Sequence, residues 1–221
     1  MRHLILFSFL SFTLTLTAQS DRYTQAMTGI VATLDTARQA SAFTASAQKL
    51  ERIAAAEADQ WLPRYYLAFT QVQLAMNALE NGQGDACETY AQAAEAQLQL
   101  VKEMTETNSE ILTLEGYVNL TRIWSDPMNN GPRLSPPTIG LFQRAMAMDE
   151  ANPRPTMLLG MLTLYMPEFY GGGAANALPL LEKAAGQYEA APAERGLLPG
   201  WGQGTNHWLL EKARTDLAEH E

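Results

Sequence analysis

Cysteine is nearly missing from this 221-residue chain: Cys87 stands alone. No disulfide can therefore form within the chain, and no thiolate metal cluster can assemble from it. Because Cys87 lies among Ala86, Tyr90 and Ala91 in a helical pattern, it reads as a small buried hydrophobe and not as a nucleophile. Histidine is almost as scarce. His3 lies at the extreme N-terminus, and the spacing of His207 and His220 puts them on different faces of a helix, so they cannot share a metal. His207 and Glu211 do share a face, as a surface pair. Positive charge is also short, with 15 Lys and Arg against 24 Asp and Glu and a net charge of -9. Such a surface repels phosphate backbones and anionic lipid, which excludes nucleic acid and membrane as expected partners. The triplet Gly171, Gly172, Gly173 lacks the Lys and Ser/Thr of a phosphate-binding loop and reads as a turn. Asp149 with Glu150, and Glu57 with Asp59, stand at helix ends with no partner group suited to acid/base work. No enzyme, metal site or cofactor is expected.

The longest apolar run is short for a membrane span and sits at the start. Arg2 and His3 precede an acid-free stretch from Leu4 to Leu16, then Thr17, Ala18 and Gln19. This is the layout of a secretory signal peptide, with residues 1–18 removed after Ala18 and one domain over 19–221. The mature chain is expected to be periplasmic or secreted, with no stable membrane insertion.

What fills the rest is helical periodicity. Tyr23, Met27, Ile30, Val31 and Leu34 make one apolar stripe, with Ser20 placed to cap it. Further helices are expected near Ala42 to Ala56, Trp61 to Leu79, Asp85 to Glu106, Glu110 to Trp124, Pro137 to Met148, Pro155 to Met166, after Gly173 to Ala190, and Thr205 to Glu219. The stretch Ser125 to Pro137 carries four prolines and reads as a loop. No segment alternates strictly with β-branched residues. The fold class is all-α, with about nine to ten helices.

A spacing recurs within these helices: small residue, large residue four later, small residue three after that. It occurs as Ala86, Tyr90, Ala93, as Thr138, Phe142, Ala145, and as Ala177, Leu181, Ala184. Each follows a helix bearing a small residue, Ala68, Gly116 or Gly160. The intervals from Ile53 to Ala68 and from Ala145 to Gly160 are equal. Small residues let paired backbones approach, and the large residue fills the gap to the next pair.

The pattern, and the stretch Phe142 to Pro153 continuing to Leu159 and Gly160, resembles the tetratricopeptide repeat. The period here is longer than the family's, and Glu150 stands where a proline is usual. The resemblance implies a short right-handed α-solenoid of helix hairpins whose first helices form an inner face. Carried over residue by residue, it places Tyr65, Phe69, Thr113, Tyr117, Met157 and Met161 on that face, with Val72, Leu120, Leu164 and Tyr165 on the next turn. These positions would either line an apolar groove for a protein or peptide, or pack against the chain's own terminal helices. Because they are mostly apolar, they do not match the Lys, Arg and Asn of repeats that clamp a peptide carboxylate. The turn Pro167 to Gly173 is similar to turns in exported bacterial repeat proteins that accompany TRAP-type transporters. That supplies an alternative, a small-molecule binding accessory with a pocket between Trp124, Phe169, Tyr170 and Trp201.

Overall fold

The computed structural model describes residues 21–219; the leader, the Ser20 cap and His220 lie outside them. Among the described residues there are nine α-helices, one 3-10 turn and no strand. They are α1 (21–36), α2 (Ala40–Ala56), α3 (Leu62–Glu80), α4 (Gly84–Met104), α5 (Ser109–Ser125), α6 (Pro127–Met148), α7 (Pro153–Tyr165), α8 (Ala174–Ala190) and α9 (Gln203–Ala218). The all-α reading therefore holds.

Successive helices pack as antiparallel neighbours: α3 with α4, α5 with α6, α7 with α8. A second set of contacts joins α3 to α5, α5 to α7 and α7 to α9. The burial pattern follows this layering. In α3, α5 and α7 apolar side chains are buried nearly all round the helix, whereas α4, α6 and α8 bury a single stripe. The first group is the middle of the molecule and the second is its outer layer.

Glycine sets the distance between layers at two of the three hairpins. A Cβ on Gly160 would meet Leu181 Cδ2 at 2.8 Å, and one on Gly116 would lie 2.8 Å from Phe142 Cζ. Phe142, Ala145, Leu181 and Ala184 are accordingly fully buried. In α4 the expected register is off by one residue. Cys87, Ala91 and Ala94 are fully buried, while Ala86, Tyr90 and Ala93 are only partly so. Ala68 keeps a methyl where the other two hairpins have glycine, and the buried stripe in the first half of α4 is small throughout: Cys87, Ala91 and Ala94.

The segment read as a loop after Ser125 is instead the first half of α6. The Asp126 side chain caps it, accepting from Asn129 N at 3.2 Å, and Pro127 takes the first helical position, where an N–H would have no partner. Pro132, Pro136 and Pro137 lie inside the helix. Their missing N–H groups leave the carbonyls of Met128, Pro132 and Arg133 without helical partners, but all three residues are exposed, so water serves them.

Polar ties fix the layers in register. Ser109 Oγ donates to Ala145 O at 2.9 Å, Asn206 Nδ2 donates to Leu181 O at 3.1 Å, and Cys87 Sγ lies 3.7 Å from Thr121 O. Each joins a buried side-chain donor, which would be costly to leave unmet, to a backbone carbonyl of a different helix.

Candidate functional site

Between α8 and α9 the chain leaves the outer layer and crosses to the middle one. This connection, residues 191–202, forms a strap rich in Pro and Gly with no regular helix. It is pinned at three points. Arg195 pairs with Asp35 at 2.6 Å, Tyr66 Oη donates to Leu197 O at 2.9 Å, and Tyr188 Oη donates to Trp201 O at 3.1 Å. Gly202 then turns the chain into α9 at φ +107°, a conformation that favours glycine. A Cβ there would also strike Tyr188 Oη and lie 3.2 Å from Met157 Sδ.

Trp201 is the strap's buried anchor, 5% exposed. Its indole stacks on Phe69 at 4.8 Å and on Tyr117 at 5.8 Å, with interplanar angles of 22° and 30°. The indole Nε1 donates to Tyr65 Oη at 3.2 Å, and the Arg154 guanidinium lies 5.8 Å from the ring centroid. Three of the six inner-face positions named from the sequence, Tyr65, Phe69 and Tyr117, thus converge on one ring. Met157 joins them through Tyr188, whose hydroxyl lies 3.6 Å from its sulfur. Met161 is buried further along the same helix. Tyr165 stands apart at its end, half exposed and edge-on to Trp124 at 6.0 Å. At Tyr65, Phe69 and Tyr117 the inner face is therefore covered by the strap.

Beneath Trp201 lies a buried ionic knot. Glu110 accepts from Arg154 Nε at 2.9 and 3.0 Å, from a second Arg154 nitrogen, from Asn152 Nδ2 at 2.8 Å and from Tyr65 Oη at 3.0 Å. The Arg154 and Glu110 side chains are only 10% and 14% exposed. Burial pulls the Arg154 pKa down, but the Glu110 charge and hydrogen bonds outweigh it, and the net shift is upward. Burial, reinforced by the Glu110 charge, pushes the Tyr65 phenol well above its ordinary value. Burial likewise raises Tyr66, Tyr117 and Tyr188. The site is a charged pair under an aromatic stack, with every phenol held neutral.

Open space lies on both sides of the strap. A cavity of about 250 Å³ reaches Phe69, Tyr117 and Trp201 from the α1 side, and a cleft of about 830 Å³ runs from Trp61 past Arg154 and Tyr188. Arg195, Gly200 and Gln203 line both. The cleft is of the size that takes small organic ligands.

The pocket expected between Trp124, Phe169, Tyr170 and Trp201 does not form around Trp201. The cavity that Trp201 lines contains none of the other three. Phe169 and Tyr170 stand 90% and 69% exposed, edge to face with each other. His207 is exposed, and among the described residues no group of three His, Cys, Asp or Glu side chains could hold a metal ion. Sequence reasoning missed Arg154, Glu110 and Asn152, each of which sits at a helix start where charge and amide groups are ordinary. Only the lone Trp201 inside a Pro/Gly-rich connection gave a signal of the strap.

With this geometry in place, comparison with known proteins becomes informative. No protein-family model and no curated protein sequence matches the chain. A solved structure does. The chain is similar to the HusA haemophore from Porphyromonas gingivalis, with 28% sequence identity and a TM-score of 0.74, over 87% of this chain and 93% of that one. The likeness spans most of both chains, not a single hairpin.

Proposed function

We propose that this chain is an exported binding protein of the haemophore kind, which holds a haem-like tetrapyrrole against the inner face of a degenerate tetratricopeptide-like solenoid. The observation that carries the reading is the similarity to a haemophore over nearly the whole length of both chains. The site chemistry agrees with it. A planar, largely apolar ligand bearing carboxylates needs aromatic faces, guanidinium groups and a cleft of several hundred Å³. Phe69 and Tyr117 supply faces on the 250 Å³ cavity, Trp61 and Tyr188 line the 830 Å³ cleft together with Arg154, and Arg195 borders both spaces.

The inner-face residues named from the sequence keep a place in this reading. Tyr65, Phe69, Tyr117 and Met157 surround the strap anchor and would bound the ligand, with Met161 and Tyr165 beyond it. A peptide-binding role would use the same face but would have to lift the strap along its length, and no feature of the structure favours it. The leader at residues 1–18 supports export, and among the described residues no helix is long and apolar enough to cross a membrane. The role is one of binding and carriage rather than catalysis.

The test is a titration of the mature chain with haemin, followed by the Soret band and by tryptophan quenching. A saturable spectral change at one site per chain is expected. Absence of any change at micromolar haemin overturns the reading.

A further inference from the structure

We infer that Trp201 occupies the ligand's own place: its indole is a resident stand-in for a planar aromatic ligand, which displaces it from the slot where it stacks on Phe69 and Tyr117 by swinging the strap outward. This rests on the haemophore-like reading and gives it a site and a gating step.

The geometry is that of a filled ligand slot. Phe69 and Tyr117 both stack on one ring, at 22° and 30°, a hydrogen-bonding phenol meets its edge, and a guanidinium lies over it. These are the contacts a flat conjugated ligand with acidic substituents would seek.

The strap that delivers the ring has only a few ties to give up. This segment runs between open spaces of about 250 and 830 Å³, with Arg195 and Gly200 lining both. Its ties besides Trp201 are one ion pair at the surface and two side-chain bonds to its carbonyls. Gly196 and Gly202, both at positive φ, flank the section that would move. With Trp201 withdrawn, the 250 Å³ cavity would extend into the slot it leaves, with Arg195 on the cavity wall and Arg154 beside the vacated ring position. A protein whose binding-competent form is only partly populated shows a weaker apparent affinity, by the populated fraction. Weakening the plug must therefore tighten binding.

The experiment is haemin titration of four mature chains: wild type, Trp201→Ala, Asp35→Asn and Phe69→Leu. Trp201→Ala is expected to lower the apparent Kd about tenfold or more. Asp35→Asn, which removes the strap's ion pair while keeping the size of a side chain that lines the cavity and guards against a misfolded Trp201 variant, should lower it about two- to fivefold. Phe69→Leu should raise it, because the stacking face is gone. Hydrogen exchange over residues 191–202 should speed up when wild type binds haemin, the reverse of ordinary protection. If wild type binds haemin but Trp201→Ala and Asp35→Asn bind no more tightly, the plug is refuted and the haemophore-like reading survives. If no chain binds haemin, that reading falls, and this inference with it.

Discussion

Gly116 lies directly against the ring of Phe142, so close that a Cβ on residue 116 would overlap Cε1 and stand 2.8 Å from Cζ. The missing methyl lets α5 and α6 approach, and Phe142 fills the space to the point of complete burial. Gly116→Ala should therefore destabilise by about 1–3 kcal/mol through overpacking, despite the roughly 1 kcal/mol that alanine gains over glycine within a helix. Gly186, on exposed α8 with nothing within 4 Å of its virtual Cβ, is the control. Gly186→Ala should stabilise by about 0.5–1 kcal/mol. Urea midpoints that move in the same direction for both would sink the packing argument.

The same contact shows how far the sequence could be read. The triads in α6 and α8 were legible because one large residue between two small ones leaves a single stripe that can face inward. In α4 small residues abound, several stripes fit equally, and the buried one proved to be Cys87, Ala91, Ala94 rather than Ala86, Tyr90, Ala93. The inner-face positions were legible as apolar. That Tyr65, Phe69 and Tyr117 meet on Trp201 was not, since a contact between α3 and residue 201 leaves no periodic trace. Arg154 and Glu110 stayed hidden for a similar reason: each looks like an ordinary terminal residue until α5 and α7 are side by side.

Breaking that pair should be costly. Removing Glu110 leaves a guanidinium with little water and no carboxylate, a loss of about 3–5 kcal/mol for Glu110→Ala. The double variant Glu110→Ala with Arg154→Leu should lose less than the sum of the two single changes, because no uncompensated charge remains buried. A thermal-melt double-mutant cycle measures this. Strict additivity would mean that the two side chains do not act as a pair in solution.

The prolines of α6 give a prediction of opposite sign. Pro136 lies in the helix interior, where proline is about 3 kcal/mol less favourable than alanine, and its residue is exposed. Pro136→Ala should restore an N–H to the ladder and stabilise by about 1–2 kcal/mol, after the unfolded chain's added freedom is subtracted. Pro127→Ala, at the first helical position, should gain nothing. If instead Pro136→Ala destabilises, this stretch does not hold its helix in solution, and the loop read from the sequence is the better description.

Alkaline pH should open the molecule from the inside. Tyr65, Tyr66, Tyr117 and Tyr188 all have folded-state pKa values raised above the ordinary 10.0, chiefly by burial. A raised pKa means that the native state keeps a proton which the unfolded chain releases. The stabilising contribution is therefore complete below about pH 10 and is lost as pH climbs from 10 toward the folded values. Each such tyrosine costs about 1.4 kcal/mol per pH unit over that window. Denaturant midpoints taken between pH 9 and 11.5 should fall steeply above 10, with phenolate absorbance rising in step with unfolding. Tyr188→Phe should make the fall shallower by one residue's share. Because Tyr188 also holds the carbonyl of Trp201, the same variant should loosen the strap at neutral pH, where no phenol is ionised. Faster exchange at residues 191–202 with an otherwise unchanged exchange pattern would separate that local effect from the alkaline one. An unchanged alkaline slope would show that Tyr188 ionises as freely in the folded protein as in the unfolded chain.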